Sequence, residues 1–309
     1  MPMDERYLRQ VRLLMRVLPL VAQESSFALK GGTAINLFVR NLPRLSVDID
    51  LAYLPIEDRR ASLTGIDSAL ARIGSRIRQV IPSVRVDAVA LRGEGTVTRL
   101  FARDGRVQVK IEVTPVLRGC VYEPETRSVA AAVEERFGFA EVSVLSFPDL
   151  YAGKLVAALD RQHPRDLFDV GVLLSNEGLD DRLRTAFVVY LTSHGRPLTE
   201  LLSPTRRELA TEFERGLAAM LDTPVSADDL VRTREQMVAE LVGRMPEAHR
   251  SFLVSFEAGE PDWSLLATPR ARRLPAVRWR MMNLARLDAR RRAEQAALLE
   301  RMLAGGPGA

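Results

Sequence analysis

The segment Phe27–Leu51, FALKGGTAINLFVRNLPRLSVDIDL, constrains the fold of this chain more than any other feature. It predicts an apolar strand, a Gly-Gly turn, a short helix, a basic loop and a second strand. Because side chains alternate across a strand, Asp48 and Asp50 lie on one face of the second strand. Two neighbouring carboxylates repel each other, so this pattern predicts a site that a divalent cation holds together.

The residues before the short helix indicate the ligand of such a site. Gly31 and Gly32 let the backbone approach a ligand closely, and Thr33 offers a hydroxyl and an N–H near a helix start. These groups suit the oxygens of a nucleoside triphosphate (NTP), and Mg²⁺ prefers one or two carboxylates plus substrate phosphates. Each motif alone is also compatible with an ordinary turn or an exposed edge strand. Their combination in strand–turn–helix–strand order favours phosphoryl transfer.

A third carboxylate follows in the predicted strand VQVKIEVTP, after the Asp104-Gly105 hairpin signal. Lys110 and Glu112 share one face of it. In a sheet with the aspartate pair, Glu112 can complete the three carboxylates that hold two Mg²⁺ ions, and it can accept a proton from an attacking hydroxyl. The alternative is an ordinary exposed face with a cation beside an anion.

A second charged cluster lies in the helical segment DLYAGKLVAALDRQHPRDLFDVGVLLS. It contains Lys154, Arg165, Asp166 and Asp169, and the last two share a helix face. Charges paired on the solvent-exposed side of a helix are the alternative explanation.

Lysine usage connects these segments. Of 44 basic residues only three are lysine, namely Lys30, Lys110 and Lys154. Lysine provides a compact, flexible point charge rather than a planar fork, so each of these positions is expected to require that kind of charge; the alternative is that the three lysines lie there by chance.

The remaining periodicity predicts an α+β fold. Residues 1–145 are expected to form a mixed sheet of about five strands flanked by helices, and residues 146–309 a mainly helical domain. The boundary lies near Ser146, where Ser-Phe-Pro-Asp is typical of a helix start.

The C-terminal part of the second domain is strongly basic. Residues 270–301 contain ten arginines, three acidic residues and Trp279. Basic helices with an interleaved aromatic can follow a nucleic-acid backbone and stack a base, although they are also common as solvated surfaces.

Composition excludes several classes. The single cysteine, Cys120, excludes an intramolecular disulfide and a cysteine-based zinc site, and its expected state is a reduced thiol in the cytoplasm. The three histidines are far apart, which disfavours a zinc hydrolase. No apolar run is long enough to span a membrane, and the N-terminus lacks a signal-peptide pattern.

Several motifs resemble one known family. Lys30–Thr33 and Arg44–Leu51, read as G-G-T and R-x-S-x-D-I-D-L, resemble the AbiEii-type nucleotidyltransferase toxins of type IV toxin–antitoxin and abortive-infection systems. These belong to the DNA-polymerase-β-like nucleotidyltransferase superfamily, whose fold residues 1–145 are then expected to adopt. Lys110 with Glu112, and the segment containing Lys154 and Asp166, resemble later motifs of the family.

The resemblance implies a catalytic set of Asp48, Asp50, Glu112, Lys154 and Asp166. It implies that Lys154 contacts the nucleotide phosphates and that Arg165, Asp166 and Asp169 build one wall of the cleft. It also implies a cytoplasmic toxin that adds nucleotides to RNA, with the tRNA 3′ end as the first expectation, blocks translation, and has a cognate antitoxin. Ser46 matches a serine at which some relatives are silenced by phosphorylation.

Two alternatives remain from the residues. One is nucleotidyl transfer to a protein or a small molecule on the same scaffold. The other is a non-catalytic RNA-binding module.

Overall fold

The structure is a computed structural model that describes residues 3–305. These residues form two compact units. The first unit ends at Ser146 and takes in Ala218–Pro224, and the second consists of Phe147–Leu217 and the chain from Val225 onward.

Within residues 3–305, the first unit contains one seven-stranded mixed sheet. Its strands, in chain order, are β1 Phe27–Lys30, β2 Asp48–Tyr53, β3 Arg85–Ala90, β4 Val97–Asp104, β5 Val107–Val113, β6 Glu125–Ser128 and β7 Glu141–Val144. The spatial order is β3-β4-β5-β2-β1-β7-β6. β2 runs parallel to β5 and β1 runs parallel to β7, whereas the other neighbours are antiparallel. The mixed sheet of the predicted α+β fold is therefore confirmed, although the expected number of about five strands was too low.

The helices of the first unit are α1 Glu5–Val21, α2 Gly31–Thr33, α3 Arg59–Val80 and α4 Ala131–Phe137. One sheet face is apolar: Ile49 and Ile111 are fully buried, and Leu51 is almost so. Helix α1 covers this face, because its Leu18 and Val21 line a small cavity together with Leu51. Burying such a side chain contributes about 1.5–3 kcal/mol relative to leaving it exposed. The alternating polar residues of β2 and β5 therefore lie on the opposite face.

The Gly-Gly segment differs from its prediction. Gly31 and Gly32 do not form a turn before the helix but are the first residues of α2, which continues as a π-helix over Ala34–Val39. Gly31 has a φ of +73°, a left-handed conformation that favours glycine. The helix therefore begins directly where β1 ends.

The second unit is helical, as predicted. Its helices are α5 Phe147–Arg161, α6 Pro164–Asn176, α7 Asp181–Thr192, α8 Leu198–Leu202, α9 Ala210–Gly216, α10 Ala227–Val238, α11 Glu247–Glu257, α12 Pro275–Ala285 and α13 Ala289–Gly305. Helix α6 starts with Pro164 behind His163, whose imidazole Nδ1 accepts a hydrogen bond from the Arg165 N–H at 3.1 Å. Among residues 3–305, no helix is long and apolar enough to cross a membrane.

A short segment, 218–224, belongs to the first unit although it follows α9 in sequence. The Met220 carbonyl accepts a hydrogen bond from the Leu45 N–H at 2.9 Å, and Leu221 forms a β-bridge with Arg44. This pairing supports the loop that leads from Arg44 into Asp48.

Candidate active site

The parallel pairing of β2 with β5 assembles the candidate site. Asp48 lies opposite Lys110 and Asp50 lies opposite Glu112. Because paired strands are in register and side chains alternate, these four residues share one face of the sheet. The register thus places the three carboxylates, predicted from two separate segments, on one face of the sheet.

Cations hold these carboxylates in place. The Glu112 carboxylate accepts hydrogen bonds from the Lys110 ammonium at 2.8 Å and from Arg99 Nε at 2.5 Å. Lys110 Nζ lies 3.9 Å from Asp48 Oδ2. Burial acts to raise the pKa of Glu112, but the hydrogen bonds and charges of Lys110 and Arg99 outweigh it and leave the pKa below its ordinary value. Glu112 is therefore ionised at neutral pH and is a weak base.

The same balance acts on Lys110. Partial burial acts to lower its pKa, but Glu112, Asp48 and Asp50 outweigh that effect and raise the pKa above its ordinary value. Lys110 keeps its positive charge at neutral pH.

Lys30 is a further member of this face, and sequence reasoning gave it no place in the site. It lies opposite Asp50 across the antiparallel pairing of β1 with β2, and its ammonium donates to Thr114 Oγ1 at 3.1 Å. Burial lowers the pKa of Lys30, an effect that the charges of Asp50 and Glu112 partly oppose. The sequence feature that could have identified Lys30 as a site residue is that it is one of only three lysines. Arg99 is one of many arginines, so no sequence feature distinguished it.

The two glycines make room for side chains of the site itself. A Cβ atom at Gly31 would lie 2.8 Å from Asp50 Oδ2. A Cβ at Gly32 would lie 2.7 Å from an Arg44 guanidinium nitrogen and 3.0 Å from Ser46 Oγ. The 2.8 Å and 2.7 Å distances are shorter than real Cβ contacts, so a side chain at Gly31 or Gly32 would require Asp50 or Arg44 to shift. Arg44 is also almost fully buried, which excludes a solvated role for it.

The Thr33 hydroxyl, which was predicted to contact the nucleotide, forms hydrogen bonds within the protein instead. Thr33 is buried, and its hydroxyl contacts Ser46 Oγ at 3.0 Å and donates to the Asp48 carbonyl. Only the Thr33 backbone N–H therefore remains for a phosphate contact. Ser46 is also buried, so modification of its hydroxyl would require this loop to open.

The three carboxylates are of the right type to bind a divalent cation, but their side chains are too far apart to bind one together as they stand. Carboxylate oxygens are the ligands that Mg²⁺ prefers, and Asp48, Asp50 and Glu112 lie side by side on one face. Within residues 3–305, however, no three His, Cys, Asp or Glu side chains are grouped closely enough to hold a metal ion together. The hydrogen bonds of Glu112 to Lys110 and Arg99 account for this, because they hold its carboxylate.

The second unit contains its own charged cluster. The buried ammonium of Lys154 lies 2.9 Å from Asp166 Oδ1 and 3.0 Å from Asp169 Oδ2. Arg161 Nε adds a contact of 2.5 Å to Asp166 Oδ2. The alternative of charges on the solvent-exposed side of the helix is wrong for Asp166 and Asp169, since each is 1% exposed.

The cluster fixes the charge state of Asp166. Burial acts to raise its pKa, but the nearby charges and hydrogen bonds of Lys154 and Arg161 outweigh burial and hold the pKa well below its ordinary value. Arg165 stands apart: its side chain is half-buried and forms no ion pair with any residue between 3 and 305.

The chain resembles known proteins in sequence and in fold. Residues 12–283 match the family model described as nucleotidyl transferase AbiEii toxin, type IV toxin–antitoxin system. A solved structure of MenT4, a nucleotidyltransferase toxin from Mycobacterium tuberculosis H37Rv, aligns with 18% identity and a TM-score of 0.60, covering 90% of this chain and 93% of its own. Terminal uridylyl transferase 4 from Trypanosoma brucei with bound GTP aligns over 97% and 94% of the two chains, but with 13% identity and a TM-score of 0.31, which is too low to carry an argument. No curated protein sequence matches the chain.

The MenT4 alignment is evidence about the fold alone, whereas the family model covers most of the chain and confirms the resemblance seen in the motifs. It also favours an enzyme over a non-catalytic module. The chain belongs to the AbiEii nucleotidyltransferase toxin family of type IV toxin–antitoxin systems, and it is a nucleotidyltransferase.

Proposed function

We propose that this protein transfers a nucleotide from an NTP to an RNA hydroxyl in a Mg²⁺-dependent reaction, with the 3′ end of tRNA as the first expected acceptor. The observation that carries this proposal is the β2–β5 register, which sets Asp48 opposite Lys110 and Asp50 opposite Glu112 on one sheet face. With Mg²⁺ held by these carboxylates and an ammonium beside it, the site suits a triphosphate better than an uncharged substrate.

Asp48, Asp50 and Glu112 are the residues that would hold Mg²⁺, and two ions are expected by analogy with polymerase-like transfer. Bound Mg²⁺ supplies positive charge beside the phosphate oxygens and the attacking hydroxyl. The lowered pKa of Glu112 supports a role as a permanent negative charge rather than as the proton acceptor.

Several groups are proposed to bind the triphosphate. The first N–H groups of a helix have no acceptor within it, so those of Gly31, Gly32 and Thr33 are available to phosphate oxygens. Lys110 adds a positive charge that its neighbours maintain at neutral pH. For Lys154 and Arg165 of the second unit, a phosphate contact is proposed from the family resemblance alone; within that unit the Lys154 ammonium donates to Asp166 Oδ1 at 2.9 Å.

The proposed reaction is a displacement at the α-phosphorus. The acceptor hydroxyl oxygen forms a bond to that phosphorus while the bond to the bridging oxygen breaks, and pyrophosphate leaves with the electron pair. The hydroxyl proton passes to solvent. The protein contributes alignment and charge, for which few side chains suffice.

From the proposed transfer to tRNA and from the toxin family, we also propose that the protein blocks translation. Extra nucleotides at the tRNA 3′ end would block aminoacylation and hence translation in the cytoplasm, and a cognate antitoxin would counteract the toxin. The arginine-rich residues 270–301 support an RNA acceptor.

Radiolabelled NTPs incubated with the protein, total RNA and Mg²⁺ test this proposal. We expect label in RNA of tRNA size, and Asp48→Ala should abolish labelling while leaving the circular-dichroism spectrum unchanged. Label in a protein or a small molecule instead would replace RNA as the acceptor. Transfer that persists in Asp48→Ala, or in excess EDTA, would refute the metal assignment.

A further inference from the structure

Helix α12 and its C-terminal cap present a cluster of exposed side chains, with Arg278, Trp279 and Met282 on the helix and Arg286 at the cap. Met282 follows Trp279 by three residues and Arg278 by four, and Arg286 follows Met282 by four, spacings that place side chains next to each other on a helix. Trp279 is 50% exposed and Met282 is 52% exposed, values that are unusual for large apolar side chains. We call these four residues the α12 stripe.

The charges of the stripe are uncompensated. Neither Arg278 nor Arg286 has a carboxylate within ion-pair distance anywhere in the described range 3–305. Two arginines nearby differ: Arg280 lies 3.2 Å from Glu257 Oε1, and Arg292 donates to the Leu287 carbonyl at 2.7 Å. The stripe arginines are therefore free to bind an external anion.

The indole of Trp279 is also available. The other tryptophan, Trp263, packs on Phe252 at 5.3 Å and Phe256 at 6.4 Å between ring centroids. Trp279 packs on no aromatic ring within residues 3–305, and the Arg286 guanidinium lies 6.0 Å from its ring centroid. One indole thus packs on the core of the second unit, whereas the other presents its ring to solvent beside the Arg286 guanidinium.

We propose that the α12 stripe binds unpaired nucleotides of RNA, with a base stacked on Trp279 beside Met282 and the adjacent phosphates paired with Arg278 and Arg286. Aromatic platforms flanked by basic residues bind single strands in this way. Exposed Trp, Met and Arg also occur at protein interfaces, but two guanidinium groups without a carboxylate favour a polyanion. This inference rests on the proposed RNA acceptor and assigns it a binding surface.

Tryptophan fluorescence tests the stacking directly in the full chain. A single-stranded poly(A) oligonucleotide should quench the emission of the Trp263→Phe variant, whose remaining indole is Trp279. The matching Trp279→Phe variant should show little quenching with the same RNA. The opposite pattern, or no quenching in either variant, overturns the proposal.

Binding affinity provides an independent measurement. Trp279→Ala should weaken binding of the same RNA about 5- to 150-fold, the range that loss of one stacked base gives. Arg278→Gln and Arg286→Gln should each weaken binding and reduce the salt slope by about 0.7. Phe139→Ala and Arg232→Gln, which change an exposed aromatic and an exposed arginine elsewhere, are the controls and should leave affinity unchanged.

Heparin, a polyanion without bases, separates stacking from charge. Trp279→Ala should leave heparin binding unchanged, whereas the arginine variants should weaken it. Equal loss of heparin and RNA binding in Trp279→Ala, or RNA binding that no stripe variant alters, overturns the proposal and leaves a protein partner as the occupant to test.

Labelling of RNA that is unaffected by the stripe variants would refute the stripe but not the proposed function. RNA binding that depends on the α12 stripe, without any labelling of RNA, would support the stripe but refute the proposed function.

Discussion

Lys110 and Lys154 show that the same side chain can serve two purposes in one protein. Lys110 is partly exposed and lies among carboxylates that face solvent, so a substrate can compete for its charge. Lys154 is buried between Asp166 and Asp169, which are themselves buried. The Lys154 ammonium therefore stabilises the fold, whether or not it also contacts a nucleotide.

Lys154→Met should therefore lower the free energy of unfolding by about 3–5 kcal/mol, since two carboxylates would remain buried without their main cation. Urea denaturation measures this. Arg161→Gln is the comparison: it removes a cation from the same Asp166, but its side chain is 59% exposed, and we expect less than about 1 kcal/mol. If Lys154→Met unfolds like the wild type yet lacks transfer activity, its charge serves the substrate and not the fold.

The charge of Asp166 predicts a pH dependence. Its pKa in the folded state lies below the ordinary value of 3.8, so its ionisation stabilises the fold above that pH, and this contribution is lost as the pH falls through the folded-state pKa. The difference in unfolding free energy between the wild type and Asp166→Asn should be constant from about pH 5 to 8 and shrink below about pH 4. A difference that grows on acidification would contradict the direction of the shift.

At the scale of the elements, the sequence predicted which residues share a face but not which strands pair. Alternation alone placed Asp48 with Asp50 and Lys110 with Glu112. The β2–β5 register depends on the packing of the whole apolar face, which no local pattern encodes. Strand β6, Glu125–Ser128, was missed because ETRS has neither apolar residues nor alternation.

The start of α2 gives a prediction about one element. Gly31→Ala adds a methyl group where Asp50 Oδ2 would be 2.8 Å away, on a backbone with a φ of +73°. We expect a loss of about 1–2 kcal/mol in stability from the left-handed conformation, together with a large loss of transfer activity because Asp50 is displaced.

Gly105→Ala separates the loss of stability caused by a left-handed backbone from the loss of activity caused by displacing Asp50. Gly105 also has a positive φ, +59°, but a Cβ there would meet no atom within 4 Å. It should lose similar stability and keep transfer activity under the labelling assay. Equal activities of the two variants would show that the room beside Gly31 is not needed by Asp50.

At the scale of the whole molecule, the chain does not divide at a single point. Residues 146–309 were predicted to form one helical domain, but helix α9 ends at Gly216 and segment 218–224 belongs to the first unit. Pairing of Leu45 with Met220 joins residues 175 positions apart, a contact that depends on tertiary structure and leaves no periodic signal. Family motifs predicted the chemistry of the chain better than periodicity predicted its connections.

Two buried leucines test this division, because they are neighbours in sequence but belong to different units. Leu217 is 0% exposed in the second unit, and Leu221 is 5% exposed in the first. Each change to alanine should cost about 2–5 kcal/mol in the unit that contains it. Hydrogen–deuterium exchange should show Leu221→Ala raising exchange around Leu45 and β2, and Leu217→Ala raising it in the helices of the second unit. Because the loop held by this segment leads into Asp48, only Leu221→Ala should also lower transfer activity at a temperature where both variants remain folded. Identical exchange patterns in the two variants would mean that the chain unfolds as one cooperative body, and the assignment of 218–224 to the first unit would then have no energetic meaning.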